Sequence, residues 1–155
     1  MILLSKATLQ DIEQMQLLVR SDVKDGTILY RSEDEMATNI RSYVLAKDEN
    51  ILVGYTALHI HSKALAEIRS LIVHPSYRGQ DIGRKMVLFA LNEAKDIGVQ
   101  REVLALTYVP QFFHKLGFVE IQKEAIPEQK IWADCIKCIH FPVCNESALV
   151  YKLWE

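Results

Sequence analysis

The sequence predicts a mixed α+β fold in which a mostly antiparallel sheet carries helices on both faces. β-Branched and aromatic residues dominate the segment from Tyr43 to Val73, and two short polar turns divide it into three strands. A segment with apolar residues at helical spacing follows, and after it comes the pattern of a strand, a short helix and another strand. An antiparallel run that leads into alternating strands and helices is typical of this fold class.

The N-terminal part of the chain is predicted to form one strand and two helices. Residues 2–5 form the strand. Thr8 can cap a helix whose apolar residues recur at helical spacing, and this helix is expected to end near Asp22. Ser32 and Glu35 have the spacing of a capping box, in which a hydroxyl and a carboxylate satisfy the unpaired amides at a helix start. A second helix is therefore expected to begin at Ser32.

The C-terminal part is predicted to begin with a long amphipathic helix and to end with a strand. The helix is expected to start near Gly83, and Gly98 stands where a glycine commonly terminates a helix. Pro110 can open a short helix and Gly117 can close it. The strands of this part are expected at residues 103–107, 118–121 and 147–154.

Length and charge limit the classes of function. A chain of 155 residues is about the size of one domain, so residues 1–155 are predicted to form a single domain. Eighteen Lys and Arg against twenty Asp and Glu give a net charge of −2, so we expect neither nucleic acid nor a membrane as a partner. The apolar runs are far shorter than the roughly 20 residues that span a bilayer, and the first residues lack a signal-peptide pattern. We therefore expect a soluble, cytoplasmic protein.

A group of metal-ligand residue types lies near the C-terminus. It consists of Cys135, Cys138, His140 and Cys144. A C-x-x-C turn is common in structural zinc sites, but one such turn is less specific than two paired ones. We expect reduced, packed thiols and no metal, with structural zinc as the alternative.

The segment from Arg78 to Lys85 is predicted to bind an anion. If a helix begins near Gly83, the amides of residues 80–84 have no partners within it, and the positive end of the helix dipole adds to them. Gly79 and Gly83 let the backbone approach a ligand closely, and Arg84 brings a cation to the same place. On these residues alone, a solvated strand-to-helix turn remains the alternative.

The same segment resembles motif A of the GNAT superfamily of acetyl-CoA-dependent N-acetyltransferases. Arg78, Ile82 and Gly83 match positions of the motif, and Asp81 replaces its middle glycine. Residues 110–118, with the sequence PQFFHKLGF, resemble a second signature of the superfamily. The resemblance implies a GNAT-like fold with a splayed strand pair, acetyl-CoA as cosubstrate, and a pyrophosphate held by the loop amides. The implied cofactor-binding residues are Leu71, Ile72, Val73, Arg78, Gly79, Gln80, Asp81, Ile82, Gly83, Arg84 and Phe113.

Phe113 occupies the position at which many superfamily members carry a tyrosine that protonates the departing thiolate. The usual acid is therefore absent. Thr107, Tyr108 or water remain as candidates, and a stable thiolate can also leave without a dedicated acid. The resemblance further implies that a backbone amide at Leu71 or Ile72 stabilises negative charge on the acetyl oxygen.

Within the superfamily the chain resembles the short, single-domain amino-acid N-acetyltransferases that make N-acetylglutamate for arginine biosynthesis. The likeness is carried by residues 29–33, 66–75 and 126–132. It implies that L-glutamate is the acceptor and that Glu67 accepts the proton of its amine, with Thr107 as the second catalytic candidate. The implied substrate-binding residues are Leu29, Arg31, Arg69, Ser70, Asn145 and Ser147.

Three alternatives remain at this stage. The acceptor can be another small amine or amino acid such as glutamine, or the protein can be a non-catalytic acyl-CoA-binding sensor. Glu67 can be a structural residue paired with Arg69 or Arg31.

A homodimer is compatible with the sequence, although no interface signature identifies one. Four histidines are expected to be ordinary strand or surface residues, namely His59, His61, His74 and His114.

Overall fold

The structure is a computed structural model that describes residues 1–126 and 146–154. These residues form seven strands in one sheet. The strands are β1 (Ile2–Lys6), β2 (Tyr43–Asp48), β3 (Ile51–Ile60), β4 (Leu65–Val73), β5 (Glu102–Thr107), β6 (Val119–Ile121) and β7 (Ser147–Lys152). Their order in the sheet is β1-β2-β3-β4-β5-β7-β6.

The sheet is mostly antiparallel, which confirms the predicted fold class. β1 with β2, β2 with β3, β5 with β7 and β6 with β7 are antiparallel, whereas β4 and β5 are parallel. The register of the parallel pair covers Leu65–Ile68 and Glu102–Ala105. β4 then continues to Val73, and β5 continues to Thr107 beside β7. The parallel register is therefore shorter than either strand, as a splayed pair requires.

The described helices are α1 (Ile12–Leu18), α2 (Arg20–Lys24), α3 (Glu33–Thr38), α4 (Ile82–Ile97) and α5 (Pro110–Lys115). The predicted continuous helix from Thr8 to Asp22 is wrong, because Val19 has φ −103° and ψ 7° and separates α1 from α2. Ser32 does cap α3, since its hydroxyl accepts a hydrogen bond from Glu35 N at 3.1 Å. Among the helices of residues 1–126 and 146–154, none has both the length and the apolarity of a membrane span.

The chain divides into two compact units. Unit 1 comprises residues 1–58 and 70–90, and unit 2 comprises residues 59–69 and the described residues from 91 onwards. β3, β4 and α4 each contribute residues to both units.

Unit 1 has a core on each face of its strands, because alternate residues of β2 point to opposite sides. Leu45 packs in one core with Met15 of α1 and Met36 of α3. Val44 packs in the other core with Ile82 and Met86 of α4. Helices therefore cover both faces of the strands, as predicted.

Unit 2 is built around β5, which lies between β4 and β7. Leu65, Leu104 and Val150 share one buried cluster. A second apolar contact is aromatic: the ring of Phe118 lies 5.1 Å from that of Phe113 and 5.4 Å from that of Tyr151. These contacts hold α5 against the end of the sheet within this unit.

Candidate active site

The loop from Arg78 to Gly83 has the backbone geometry of an open turn before a helix. Gly79 has φ 84° and Asp81 has φ 68°, so both take the left-handed conformation that glycine, asparagine and aspartate tolerate best. Lys85 N donates to Asp81 O at 3.1 Å, which is the first bond of α4. The preceding amides, those of Ile82, Gly83 and Arg84, therefore have no acceptor within the helix. Such a helix start is suited to an anion.

Charged side chains surround this loop. Arg84 Nη1 lies 3.2 Å from Asp81 Oδ2, and both side chains are 54% exposed. Arg78 Nε donates to Val73 O at 3.2 Å, so this guanidinium is directed back towards the end of β4. Burial and the neighbouring Asp25 raise the pKa of Asp22, and the positive charge of Arg78 opposes this shift. The charges of Arg78 and of Asp22 in α2 therefore attract each other.

Tyr77 anchors the segment that precedes the loop. Its hydroxyl donates to Asp48 Oδ2 at 2.9 Å. The hydrogen bond from Tyr77, followed by that from the amino group of Met1, lowers the pKa of Asp48. The same bond to Asp48 raises the pKa of Tyr77. Backbone pairing adds a second anchor, since His74 N donates to Val53 O at 2.7 Å.

The backbone of β4 is irregular near the end of the strand. Ser70 has φ 55°, which interrupts the extended backbone of the strand. After it, Ile72 packs in the core with α1 and α3, whereas Leu71 and Val73 pack against the core that contains α4. The backbone of Leu71–Val73, expected to contact an extended ligand, therefore follows directly after a local irregularity.

Arg31 lies just before α3, and its side chain is only 10% exposed. Nη1 of Arg31 lies 2.9 Å from Glu35 Oε2, and its backbone oxygen accepts from Gln16 Nε2 at 3.2 Å. Burial and the neighbouring Tyr43 raise the pKa of Tyr55, and the positive charge of Arg31 opposes the rise. Arg31 is therefore an enclosed cation in unit 1. Leu29, two residues earlier, is half-buried.

Glu67 is a buried carboxylate in unit 2, with 2% of the residue exposed. Nε2 of His61 lies 2.8 Å from its Oε1 atom, and Arg69 Nε donates to the same oxygen at 3.2 Å. The side chains of His61 and Arg69 are themselves 2% and 10% exposed. The ring of His59 meets that of His61 edge to face, with 4.6 Å between the ring centroids. Glu67 therefore belongs to a polar cluster rather than to a purely apolar core.

The turn between β3 and β4 explains this cluster. His61 N donates to Leu65 O at 3.0 Å, which fixes the pairing across the turn. Counting back along the two strands sets His59 opposite Glu67, so His59, His61 and Glu67 share one face. The expectation that His61 is a strand or surface residue did not include this buried contact. The length of the turn was the signal that could have revealed its contact with Glu67.

The remaining predicted site residues of unit 2 lie around β5 and α5. Thr107 is buried, and its Oγ1 accepts from Val109 N at 2.9 Å. Ser147 is its partner in the register of β5 and β7. Phe113 is buried against Phe118. The predicted substrate residue Asn145 lies outside the described residues, as do Cys135, Cys138, His140 and Cys144.

A comparison with protein-family models decides the family. Residues 39–120, more than half of the chain, match the model described as an acetyltransferase (GNAT) domain. The chain belongs to the GNAT acetyltransferase family. The match includes β2–β5 and therefore both the loop before α4 and Glu67 of this GNAT domain.

Relatives of this GNAT protein are named as acetyltransferases. An uncharacterized N-acetyltransferase of Chlorobaculum tepidum is 35% identical over 147 residues, which are 95% of this chain and 94% of that protein. An amino-acid acetyltransferase of Aeromonas salmonicida is 26% identical over 125 residues, which are 80% of this chain. The chain spans only 28% of the length of that second relative.

Solved structures confirm the GNAT fold. One is N-acetylglutamate synthase from Neisseria gonorrhoeae, complexed with coenzyme A and N-acetyl-glutamate, with a TM-score of 0.85 and 21% identity. The match covers 100% of this chain and 36% of the synthase chain. Rv2747 from Mycobacterium tuberculosis, in complex with CoA, has a TM-score of 0.81 and 24% identity, over 98% of this chain and 99% of that one. At these identities the likeness is one of fold.

Proposed function

We propose that this GNAT protein transfers the acetyl group of acetyl-CoA to the α-amine of L-glutamate, a reaction of arginine biosynthesis. The observation that carries the proposal is the buried pair of Glu67 and Arg69, with 3.2 Å between Oε1 and Nε. A carboxylate on this strand can accept a proton from an amine, and an arginine beside it can bind an acidic substrate. The relatives named amino-acid acetyltransferases and the synthase complexed with N-acetyl-glutamate support an amino-acid acceptor.

The loop before α4 fits a pyrophosphate. Its amides at Ile82, Gly83 and Arg84 precede the first helical bond, and a Cβ built on Gly79 meets nothing within 4 Å. In the proposal these amides bind the pyrophosphate of acetyl-CoA, and the exposed cations Arg78 and Arg84 neutralise its charge. The remaining cofactor contacts are assigned to Leu71, Ile72, Val73, Gln80, Asp81 and Phe113.

Glu67 acts as the general base in this scheme. The ammonium form of an amine has no lone pair, so one proton must leave before the nitrogen can attack. Glu67 accepts that proton, and the nitrogen forms a bond to the acetyl carbonyl carbon. The nitrogen then loses its second excess proton to water as the bond from that carbon to sulfur breaks. A backbone amide at Leu71 or Ile72 stabilises the negative charge that develops on the carbonyl oxygen.

Coenzyme A leaves as a thiolate, which is stable enough to depart without an obligatory acid. Thr107 is our candidate for a donor to it. Its oxygen accepts a hydrogen bond from Val109 N at 2.9 Å, and a hydroxyl that accepts one bond can still donate its own hydrogen.

Two arginines are assigned to the acidic acceptor. Arg31 and Arg69 are both nearly enclosed, with side chains 10% exposed, and a planar guanidinium binds a carboxylate through two parallel hydrogen bonds. L-Glutamate carries two carboxylates, and each arginine offers a planar fork of this kind. Polar and apolar contacts to the rest of the substrate are assigned to Leu29, Ser70, Asn145 and Ser147.

The test is a measurement of thiol release from acetyl-CoA with separate amines. The panel contains L-glutamate, L-glutamine, L-aspartate and spermidine, and mass spectrometry identifies each product. We expect turnover with L-glutamate to exceed that with L-glutamine by about tenfold or more, because a neutral amide leaves one guanidinium without its charged partner. Turnover confined to another amine contradicts the assignment of glutamate. Binding of coenzyme A without turnover on any amine contradicts an enzymatic role and favours a sensor.

A further inference from the structure

We infer that His61 is a positioning residue that holds the carboxylate of Glu67 in the orientation required to accept a proton. This inference rests on the proposed role of Glu67 in acetyl transfer. His61 lies six residues before Glu67 in the sequence, and the turn between β3 and β4 separates the two. The geometry that carries it is the 2.8 Å distance between His61 Nε2 and Glu67 Oε1.

The contact is buried and short, which distinguishes it from a surface pair. Both side chains are at most 3% exposed, so bulk water does not compete for the bond. An ionised carboxylate only accepts hydrogen bonds, so Nε2 of His61 must carry the hydrogen when Glu67 is ready to act as a base. A ring that carries a hydrogen on Nε2 satisfies this requirement.

His61 and Arg69 make different contributions to the same oxygen. Arg69 brings a positive charge to this oxygen at 3.2 Å, and His61 adds a shorter contact from a rigid planar ring at 2.8 Å. His61 therefore restricts the rotation of the Glu67 side chain.

The imidazole of His61 is itself held in place. Its backbone N donates to Leu65 O at 3.0 Å, and its ring meets the ring of His59 edge to face. Histidine has only two side-chain torsions, and both the backbone and the ring of His61 already make contacts. His61 therefore loses little further conformational freedom when it binds Glu67. A residue that orients a catalytic group must itself be held in place, and these contacts meet that requirement.

The first test compares two substitutions of His61. In His61→Gln the amide Nε2 can donate to Glu67 from nearly the same place, whereas His61→Leu has no donor. We expect His61→Leu to lower kcat with L-glutamate by about 10- to 100-fold, and His61→Gln to retain kcat within about threefold. The KM for acetyl-CoA should stay within about twofold in both. His114→Gln, at a histidine whose side chain is 40% exposed, is the matched control and should behave as the unaltered protein.

Equal loss of kcat in His61→Gln and His61→Leu, or no loss in either, would overturn the inference. A loss that appears in the KM for acetyl-CoA rather than in kcat would also overturn it, because general damage to the fold is not confined to the proton-transfer step. A failure of Glu67→Gln to lower kcat would instead remove the base assignment itself. The two failures are therefore distinguishable.

A second test does not require turnover. Two-bond ¹H–¹⁵N NMR spectra report which ring nitrogen of His61 carries the hydrogen. We expect the Nε2-protonated form, with its proton signal moving upfield in Glu67→Gln because a neutral amide oxygen is a weaker acceptor than a carboxylate. A form protonated only on Nδ1, or an Nε2 proton signal that does not respond to Glu67→Gln, would refute the inference.

Discussion

Nη1 of Arg84 lies 3.2 Å from Oδ2 of Asp81 at the start of α4. This pair explains how a carboxylate can occupy a loop whose proposed ligand is an anion. The arginine offsets the negative charge, and the aspartate supplies the left-handed backbone at φ 68° that the loop needs. Because both side chains are more than half exposed, the pair is screened by salt and contributes little to the stability of the fold.

Replacing Asp81 with glycine should tighten the binding of coenzyme A. Asp81→Gly keeps the positive φ, removes one negative charge and releases Arg84, so we expect the Kd for coenzyme A to fall by about two- to fivefold at low salt. Isothermal titration calorimetry at two salt concentrations measures it. Asp81→Ala is the matched variant, since it removes the same charge but strains the backbone by about 1 kcal/mol. Unchanged or weaker binding by Asp81→Gly would refute the placement of the pyrophosphate.

Arg31→Ala should act on the acceptor. We expect the KM for L-glutamate to rise by about 10- to 100-fold, the value of one charge-assisted contact, with kcat changed by less than about threefold. Steady-state kinetics with acetyl-CoA at saturation provide the measurement. Arg20→Ala, at an exposed arginine of α2, is the control. If Arg31 is purely structural, Arg31→Ala should instead lower the stability of the protein and leave the KM for L-glutamate unchanged.

Glu67→Gln should remove the proposed general base while keeping the size of the side chain. General base catalysis is worth about 10²- to 10⁴-fold, so kcat should fall by at least about 100-fold while the Kd for coenzyme A changes by less than about twofold. Glu120→Gln, at a glutamate of β6 whose side chain is 55% exposed, should leave both values unchanged. Retention of kcat in Glu67→Gln would reduce Glu67 to a structural partner of Arg69.

The bond from Tyr77 to Asp48 should make stability depend on pH. The pKa of Asp48 is lowered from 3.8 in the folded protein, first by Tyr77 and then by the amino group of Met1. A lowered folded pKa contributes stability that is present above pH 3.8 and is lost as the pH falls through the folded pKa. The difference in Tm between the unaltered protein and Asp48→Asn should therefore be largest near neutral pH and shrink in acid.

Tyr77→Phe provides the companion measurement. It removes the principal cause of the shift, so the acid dependence assigned to Asp48 should be smaller in this variant. Thermal unfolding followed by circular dichroism across the acid range measures both. If the Tm values of the unaltered protein and of both variants change in parallel with pH, the assignment is contradicted.

Two glycines of unit 1 should respond differently to alanine. A Cβ on Gly54 would lie 2.7 Å from the backbone oxygen of Ile72, which cannot move aside as a side chain can. We expect Gly54→Ala to lower the free energy of unfolding by about 3 kcal/mol. Gly79→Ala faces open space and bears only the strain of its positive φ, about 1 kcal/mol. Urea denaturation compares them, and equal losses would contradict the close approach at Gly54.

Local sequence signals predicted most of the fold. Ser32 and Glu35 predicted the start of α3 because a capping box depends on residues within one helical turn. The break at Val19 could not be predicted this way. Val19 is a buried core residue, and the pattern around it is compatible with one continuous helix, so tertiary packing decides where the helix ends.

The local geometry of the candidate site was predictable where one short segment contains it. The tolerance of Asp81 for positive φ followed from its residue type, and the pairing of Glu67 with Arg69 was among the alternatives because the two are neighbours on one face of a strand. His61 was missed because its contact with Glu67 depends on the register of two strands. That register is set by the pairing of His61 with Leu65, which composition does not reveal.

The positive φ of Ser70 restricts the evolutionary drift of that position. Glycine, asparagine and aspartate can adopt φ 55° at small cost, whereas valine, isoleucine and threonine would be strongly disfavoured there. Descendants of this gene that keep the irregular strand should therefore vary at this site only among small or short polar residues. A β-branched replacement would mark a lineage in which the strand has been remodelled.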